Sequence, residues 1–253
     1  MPVNIPLDYQ PRPDLLAGRV ILITGATNGI GRAVALAAAA HGAQVIAHGR
    51  GKRKLAQLHD DIVTAGGLAP GLVQLDLKTA QGDQYQGLIE QIEANYGRLD
   101  GLLNNASMLG ELTPLEHYDI GRWQEVIHVN LNSTFILTRC LLPLLKQSDD
   151  AALLFTTSTV GHQGRAYWGA YAVSKFGVEG LFQVLAHEYE DNHRLRINCI
   201  NPGATRTDMR RLAYPAEAAD TLKTPEDLAP LYLYLLGPDS KAVRGQLITA
   251  PTG

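Results

Sequence analysis

A tyrosine and a lysine stand four residues apart in Tyr171-Ala172-Val173-Ser174-Lys175. In a helix that spacing is about one turn, so both side chains leave the same face. A free phenol titrates at roughly 10 and is a poor acid or base at neutral pH. An ammonium group one turn away favours the phenolate and brings the phenol toward working pH. Such a pair also arises by chance on solvated helix faces. It gains meaning where a nucleotide-binding turn, a hydroxyl and a strand order agree with it.

The elements that would position these residues alternate along the chain. Arg19-Val20-Ile21-Leu22-Ile23-Thr24 is a short apolar run with β-branched residues and reads as a strand buried on both faces. An alanine-rich helix from Arg32 to Ala40 follows, and Gly42 stops it. Further strands are predicted at 44–48, 72–75, 99–103, 151–157, 195–200 and 245–250. Between them lie a helix to about Ala65, one from Gln84 to Tyr96, and a long one from Gly121 to Lys146. The helix of Tyr171 and Lys175 runs to about Tyr189, a short helix falls within 206–222, and Pro225 opens another. This alternation, with no repeat and no second compositional regime, predicts an α/β fold. It would be a doubly wound parallel β-sheet, Rossmann-type, with helices on both faces, in a single domain. The domain is expected over 19–253. Residues 1–18, with Pro2, Pro6, Pro11 and Pro13, are expected as an extended arm pinned by Leu15 and Leu16. Polar clusters fall at the carboxyl ends of the strands, the edge where open α/β sheets bind ligands.

The first strand-to-helix turn is Gly25-Ala26-Thr27-Asn28-Gly29-Ile30-Gly31. Glycine there allows a tight turn and lets backbone N–H groups approach a pyrophosphate at the helix N-terminus. The second strand ends at Arg50, where an acidic residue would bond the ribose 2′-hydroxyl of NAD. A guanidinium instead accepts a 2′-phosphate in bidentate fashion, so NADP(H) is the expected cofactor, with NAD(H) the alternative. Lys52, Arg53 and Lys54 also read as a solvated basic helix start. Positive charge there opposes the macrodipole and so favours an anionic partner. Asp76 is placed for the adenine amino group, and Asn104 and Ala106 for the adenine–ribose side through backbone contacts.

Composition narrows the function classes. The 253 residues are 45% hydrophobic and 19% charged, with a formal net charge of −3, which suits one globular α/β domain. No basic surplus argues for nucleic acid, and no run of eighteen apolar residues argues for a membrane span. The N-terminus carries no apolar signal region, so the cytoplasm is the default location. The two cysteines, Cys140 and Cys199, sit among apolar neighbours and read as buried thiols; no metal site is expected.

Taken together these residues resemble the short-chain dehydrogenase/reductase family. The resemblance rests on Thr24-Gly25, Gly29-Ile30-Gly31, Asp76-Leu77, Asn104-Asn105-Ala106, Asn130, Ser158, Tyr171 with Lys175, and Asn201-Pro202-Gly203, and it spans the chain from about Arg19. Leu7-Asp8-Tyr9-Gln10-Pro11, Gly164 to Tyr171 and Asn201 to Thr207 are similar to its YciK-type branch of bacterial oxidoreductases. The resemblance implies hydride transfer between NADP(H) and a small carbonyl or secondary alcohol. It implies Tyr171 as acid/base, Lys175 lowering its pKa and holding the nicotinamide ribose, and Ser158 orienting the substrate oxygen. Asn130 would hold a water linking Lys175 to solvent; the other reading of Asn130 is a helix-interior polar group satisfied locally. Gly25, Thr27, Asn28, Gly29, Ile30, Gly31, Arg50, Asp76, Leu77, Asn104, Ala106, Pro202, Gly203, Thr205 and Thr207 would meet the cofactor along with Tyr171 and Lys175. The chain departs from the family pattern at Ser107, at Asn28, where NADP-preferring members often carry a basic residue, and at Thr249 to Gly253.

The substrate pocket is expected among Met108, Leu109, His162, Gln163, Trp168, Met209 and Tyr214. Arg206, Arg210 and Arg211 read as an anion site or as a solvated lid. Apolar faces on 121–146 and 169–189 predict a homodimer or homotetramer. A non-catalytic dinucleotide sensor is the other class of reading, and the full set of Ser158, Tyr171 and Lys175 argues against it.

Overall fold

The computed structural model describes residues 9–251. The opening stretch of the expected arm, 1–8, and the final Thr252 and Gly253 lie outside the described residues. Among the described residues seven strands form one parallel sheet: β1 (Val20–Ile23), β2 (Gln44–Gly49), β3 (Gly71–Gln74), β4 (Gly101–Asn104), β5 (Ala151–Thr156), β6 (Leu195–Asn201) and β7 (Leu247–Thr249). Their order is β3-β2-β1-β4-β5-β6-β7. The order reverses between β1 and β4, and a crevice opens there above the carboxyl ends. The register sets Ile23 beside Leu103 and beside Ala47, so the loops after β1, β2 and β4 leave the sheet at one height.

The described residues form eight α-helices: α1 (Gly29–Ala40), α2 (Lys52–Thr64), α3 (Gly82–Tyr96), α4 (Ile120–Ile127), α5 (Ser133–Leu145), α6 (Gly169–Glu188), α7 (Asp208–Ala213) and α8 (Pro225–Leu236). One core joins the sheet to α1, α2 and α8 through Val34, Ala38, Leu58, Ile62, Tyr232 and Leu235. The opposite core joins it to α3, α5 and α6 through Leu88, Ile92, Leu141, Leu144, Val178 and Phe182. Strands β1, β4, β5 and β6 are buried along their whole length, as strands covered on both sides must be; β6 does so while carrying the polar Arg196, Asn198 and Asn201.

The long helix expected over 121–146 is interrupted. Between α4 and α5 the rod widens into a π-helical turn, His128–Asn132, and the buried Asn130 sits within it. Such turns free backbone groups and re-aim side chains, often near functional sites. The stretch before β1 is docked: Leu15 and Leu16 are buried in the α8-side core, and Tyr9 packs edge-on against Tyr234 and donates to Asp239. Cys199 is buried, whereas Cys140 is only half-buried, packed against the core on the α3, α5 and α6 side. Among the described residues, no helix is long and apolar enough to cross a membrane, and no cluster of metal-ligating side chains occurs.

Candidate active site

The turn after β1 is held by Thr24. Its buried hydroxyl accepts from Asn105 N at 2.8 Å and Ala106 N at 3.0 Å and donates to Leu103 O, which joins the β1 and β4 loops at the switch point. Gly25 adopts φ 66° and Gly29 φ 49°, backbone that side-chain-bearing residues rarely take. Asn28 caps α1 by accepting from Gly29 N at 3.0 Å, and its amide donates to Asp208 on α7 at 3.0 Å. Gly25, Thr27, Asn28, Gly29 and Ile30 line a cleft of about 720 Å³. Gly31 does not, contrary to expectation. A Cβ there would collide with Gly25 O and the Asn105 side chain, so this glycine serves the close packing of α1 on its own turn.

Arg50 is exposed on the cleft rim after β2, with Arg53 and Lys54 beside it. Asp76 and Leu77 line the same end, where Asp76 accepts from Lys78 N at 3.1 Å. Ala106 lines the cleft, but Asn104 lies behind the wall. It is buried and donates to Thr138 on α5 at 2.9 Å, so the expected lining role passes to Asn105, Ala106 and Ser107.

The other end of the cleft is built from β5, α6 and the loop after β6. Ser158 is extended and leads into a 3-10 turn, Thr159–Gly161. Tyr171 and Lys175 are both buried on α6 and face the cleft. Lys175 Nζ donates to Thr156 O at 2.8 Å and lies 5.6 Å from the centre of the Tyr171 ring. Burial pushes the Tyr171 phenol up to about 12, with the Ser158 hydroxyl acting against that rise. Burial also pulls the Lys175 ammonium down to about 8. Desolvation is the largest cause for both groups, and the Ser158 hydroxyl, rather than Lys175, is the group that acts to lower the phenol here. Pro202, Gly203, Thr205 and Thr207 complete this end, with Asn201 accepting from Gly203 N at 3.0 Å to shape the loop.

Asn130 does not reach the cleft. Its side chain accepts from Met108 N at 2.8 Å and donates to Met108 O at 2.9 Å and to Ser174 Oγ at 3.0 Å. Those bonds engage the side chain in pinning the loop after β4 to α6. Met108, Leu109, Trp168 and Met209 line the cleft as expected. His162, Gln163 and Tyr214 do not. Tyr214 packs at a tilt against Trp168, ring centres 5.9 Å apart, and lies under Arg210 at 3.8 Å. Arg206 and Arg211 face a second cavity of about 560 Å³ between α1 and α7, and Arg210 is held by both oxygens of Glu217.

Residues 19–218 match the short chain dehydrogenase family. The chain belongs to that family. It is 51% identical over 247 residues to the uncharacterized oxidoreductase YciK of Escherichia coli K12, covering 98% of this chain and 97% of that one. It is 33% identical over 245 residues to the 3-oxoacyl-[acyl-carrier-protein] reductase FabG of Thermotoga maritima, covering 92% and 96%. A short chain dehydrogenase from Escherichia coli CFT073, solved in complex with NADPH, superposes with a TM-score of 0.92 at 51% identity, over 95% of this chain and 99% of that one. A homologue from Shigella flexneri 2a, complexed with NADP, gives 0.92 at 50% identity, over 94% and 99%. This short chain dehydrogenase therefore sits in the YciK branch and is an NAD(P)-dependent oxidoreductase.

Two residues of this dehydrogenase's site escape sequence reasoning. His48, buried near the end of β2, accepts from Gly25 N at 3.3 Å through Nδ1 and donates to Leu75 O at 3.0 Å through Nε2. It ties the glycine turn to the loop carrying Asp76, and burial pulls it down to about 4, so it stays neutral. Its signal was a polar residue directly after the apolar run Val45-Ile46-Ala47. Glu179 lies one turn beyond Lys175, so the four-residue step from Tyr171 to Lys175 continues to it.

Proposed function

We propose that this dehydrogenase transfers hydride between NADP(H) and a small carbonyl or secondary alcohol, with Tyr171 as its proton donor and acceptor. The observation that carries the reading is one continuous cleft that holds the Gly25–Ile30 turn and Arg50 at one end and Ser158, Tyr171 and Lys175 at the other. The donor set fits a dinucleotide. The turn backbone and the α1 N-terminus offer N–H groups to a pyrophosphate, and the exposed Arg50, Arg53 and Lys54 offer cations to a 2′-phosphate. NADP(H), when bound, supplies or takes the hydride.

The chain's own residues handle the proton and the charge. In the reducing direction Tyr171, protonated at neutral pH, donates its phenol proton to the carbonyl oxygen. Ser158 donates a second hydrogen bond to that oxygen, so developing alkoxide charge meets two fixed donors. Lys175, titrating at about 8, changes charge readily near neutrality and replenishes the Tyr171 proton. Asn130 acts at one remove by holding Met108 and Ser174 in place. Leu109, Trp168, Met209 and Ala213 give the substrate side an apolar wall against Tyr171. The exposed Phe135 on α5 and Val173, Phe176 and Val184 on α6 favour association with further copies of the chain.

The test is the thermal shift with NADPH and NADH over a concentration series. A ligand that binds only the folded chain stabilises it by about 2.7 kcal/mol at a hundredfold excess over Kd. A response to NADPH where NADH does little supports the Arg50 assignment. An equal response overturns that assignment, and silence with both overturns the reading.

A further inference from the structure

Glu179 is a buried carboxylate, 5% exposed, on the same face of α6 as Tyr171 and Lys175. A carboxylate taken out of water needs donors. Here one oxygen, Oε1, collects two: the Thr157 hydroxyl at 2.7 Å and His162 Nδ1 at 3.1 Å. Those donors flank Ser158. Thr157 precedes it at the end of β5, and His162 closes the 3-10 turn that follows it. The turn itself is closed by Gly161 N on Ser158 O at 2.8 Å. Gly161 is where Glu179 crosses, because a Cβ there would collide with both Thr157 Oγ1 and Glu179 Oε1. Beneath them burial pushes the Cys199 thiol up to about 12, so it stays neutral.

We propose that Glu179 is a positioning residue: it clamps both flanks of the Ser158 turn to α6 and so sets the Ser158 hydroxyl against the Tyr171 phenol. The proposal rests on the acid–base reading of those two residues. The clamp matters because Ser158 and Tyr171 come from different elements. Ser158 sits on a short turn with a half-exposed end, whereas Tyr171 is fixed in a twenty-residue helix. Glu179 is the bond that carries the helix's rigidity to the turn.

The experiment compares Glu179→Leu, Glu179→Gln, Thr157→Val and the Leu/Val double variant. Turnover is followed with NADPH and with cyclohexanone and diacetyl as carbonyl probes. NADPH Kd is read by fluorescence, and exchange of the 159–163 amides by mass spectrometry. Glu179→Leu should lower kcat by roughly 10- to 100-fold, the cost of a misplacement of about 1 Å, while NADPH Kd moves less than about twofold. Glu179→Gln should recover most of the loss, because its amide oxygen can accept from the same two donors. Thr157→Val should cost less in the Glu179→Leu background than in the wild type, since the two act through one bond. The 159–163 amides should exchange faster in Glu179→Leu. Should Glu179→Leu not fold, Thr157→Val carries the test, because it cuts one arm and leaves the carboxylate bonded to His162.

Wild-type kcat in Glu179→Leu, additive effects in the cycle, or unchanged exchange at 159–163 would each overturn the clamp. Failure of the underlying reading looks different. A Tyr171→Phe variant as active as the wild type would sink the acid–base assignment, and the exchange data would then decide alone whether Glu179 holds the turn.

Discussion

Two clusters of buried charge sit at opposite edges of one sheet, and they are built on opposite principles. At the amino edge, Asp150 lies between Arg19, at 2.9 Å, and the fully buried Arg196. Beside it the buried Asp100 takes Arg98 at 3.0 Å, Ser148 at 2.6 Å and the Val20 N–H at 2.9 Å. Each of these two carboxylates meets a guanidinium, and the residues stand at the starts of β1, β4, β5 and β6. At the carboxyl edge, Lys175 is bonded to a neutral carbonyl and Tyr171 is desolvated beside it. Charge paired with charge fixes strand register and costs dearly when one partner is lost. Charge buried against neutral groups is instead easy to change, which is what proton transfer needs. The amino edge should therefore answer to mutation in stability, and the carboxyl edge in turnover.

The sharpest way to break that contrast is Tyr171→Phe. Turnover of the carbonyl probes should fall by roughly 100- to 10,000-fold, with NADPH Kd by fluorescence unchanged within about threefold. Next comes Asp150→Ala, which strands Arg19 and Arg196. It should cost about 3–5 kcal/mol in urea unfolding and leave NADPH affinity of the folded protein intact. An NADPH defect without a stability loss would reverse the assignment of the two edges.

Lys175 sharpens the contrast through pH. Its folded pKa of about 8 lies below the ordinary 10.5, so between those values the unfolded chain binds more protons than the folded one. Stability from this group therefore rises with pH across that window. Tyr171 is shifted upward from 10 to about 12, and its contribution falls with rising pH only above 10, where the unfolded phenol ionises first. From pH 8 to pH 10, unfolding free energy of the wild type should climb relative to Lys175→Met by up to about 3 kcal/mol. A parallel pair of curves would mean that the ammonium is not desolvated.

Arg50→Ser should weaken NADPH relative to NADH by about 10- to 100-fold, the worth of a charged hydrogen bond, read as the ratio of the two Kd values. The smallest effect is expected at Tyr167, the one non-glycine residue with positive φ, 72°, among the described residues. Tyr167→Gly should raise unfolding free energy by about 1 kcal/mol or less, since it relieves strain but loosens the unfolded chain.

Much of this was readable before the fold. The apolar runs at 20–23 and 151–156 could only be strands covered on both faces, and the alternation with helices left little choice of sheet. The Tyr171 to Lys175 step and the Gly25 to Gly31 turn were likewise visible, because helix pitch and glycine's backbone freedom are local properties. The π-helical turn at Asn130 was not, because apolar periodicity continues through it on either side.

The chain's own order of residues thus determined the architecture, the edge of the sheet where the cleft opens, and the helix face that presents Tyr171 and Lys175. Only the tertiary structure decided which candidates open on the cleft. It turned Asn104 to Thr138, Gly31 to its own turn and Asn130 to Met108, and it brought Glu179 to Thr157 and His48 to Gly25. It also decided the direction of both pKa shifts. Facing and burial arise where segments 20 or more residues apart in the chain are packed together, and no local period encodes what water is excluded there.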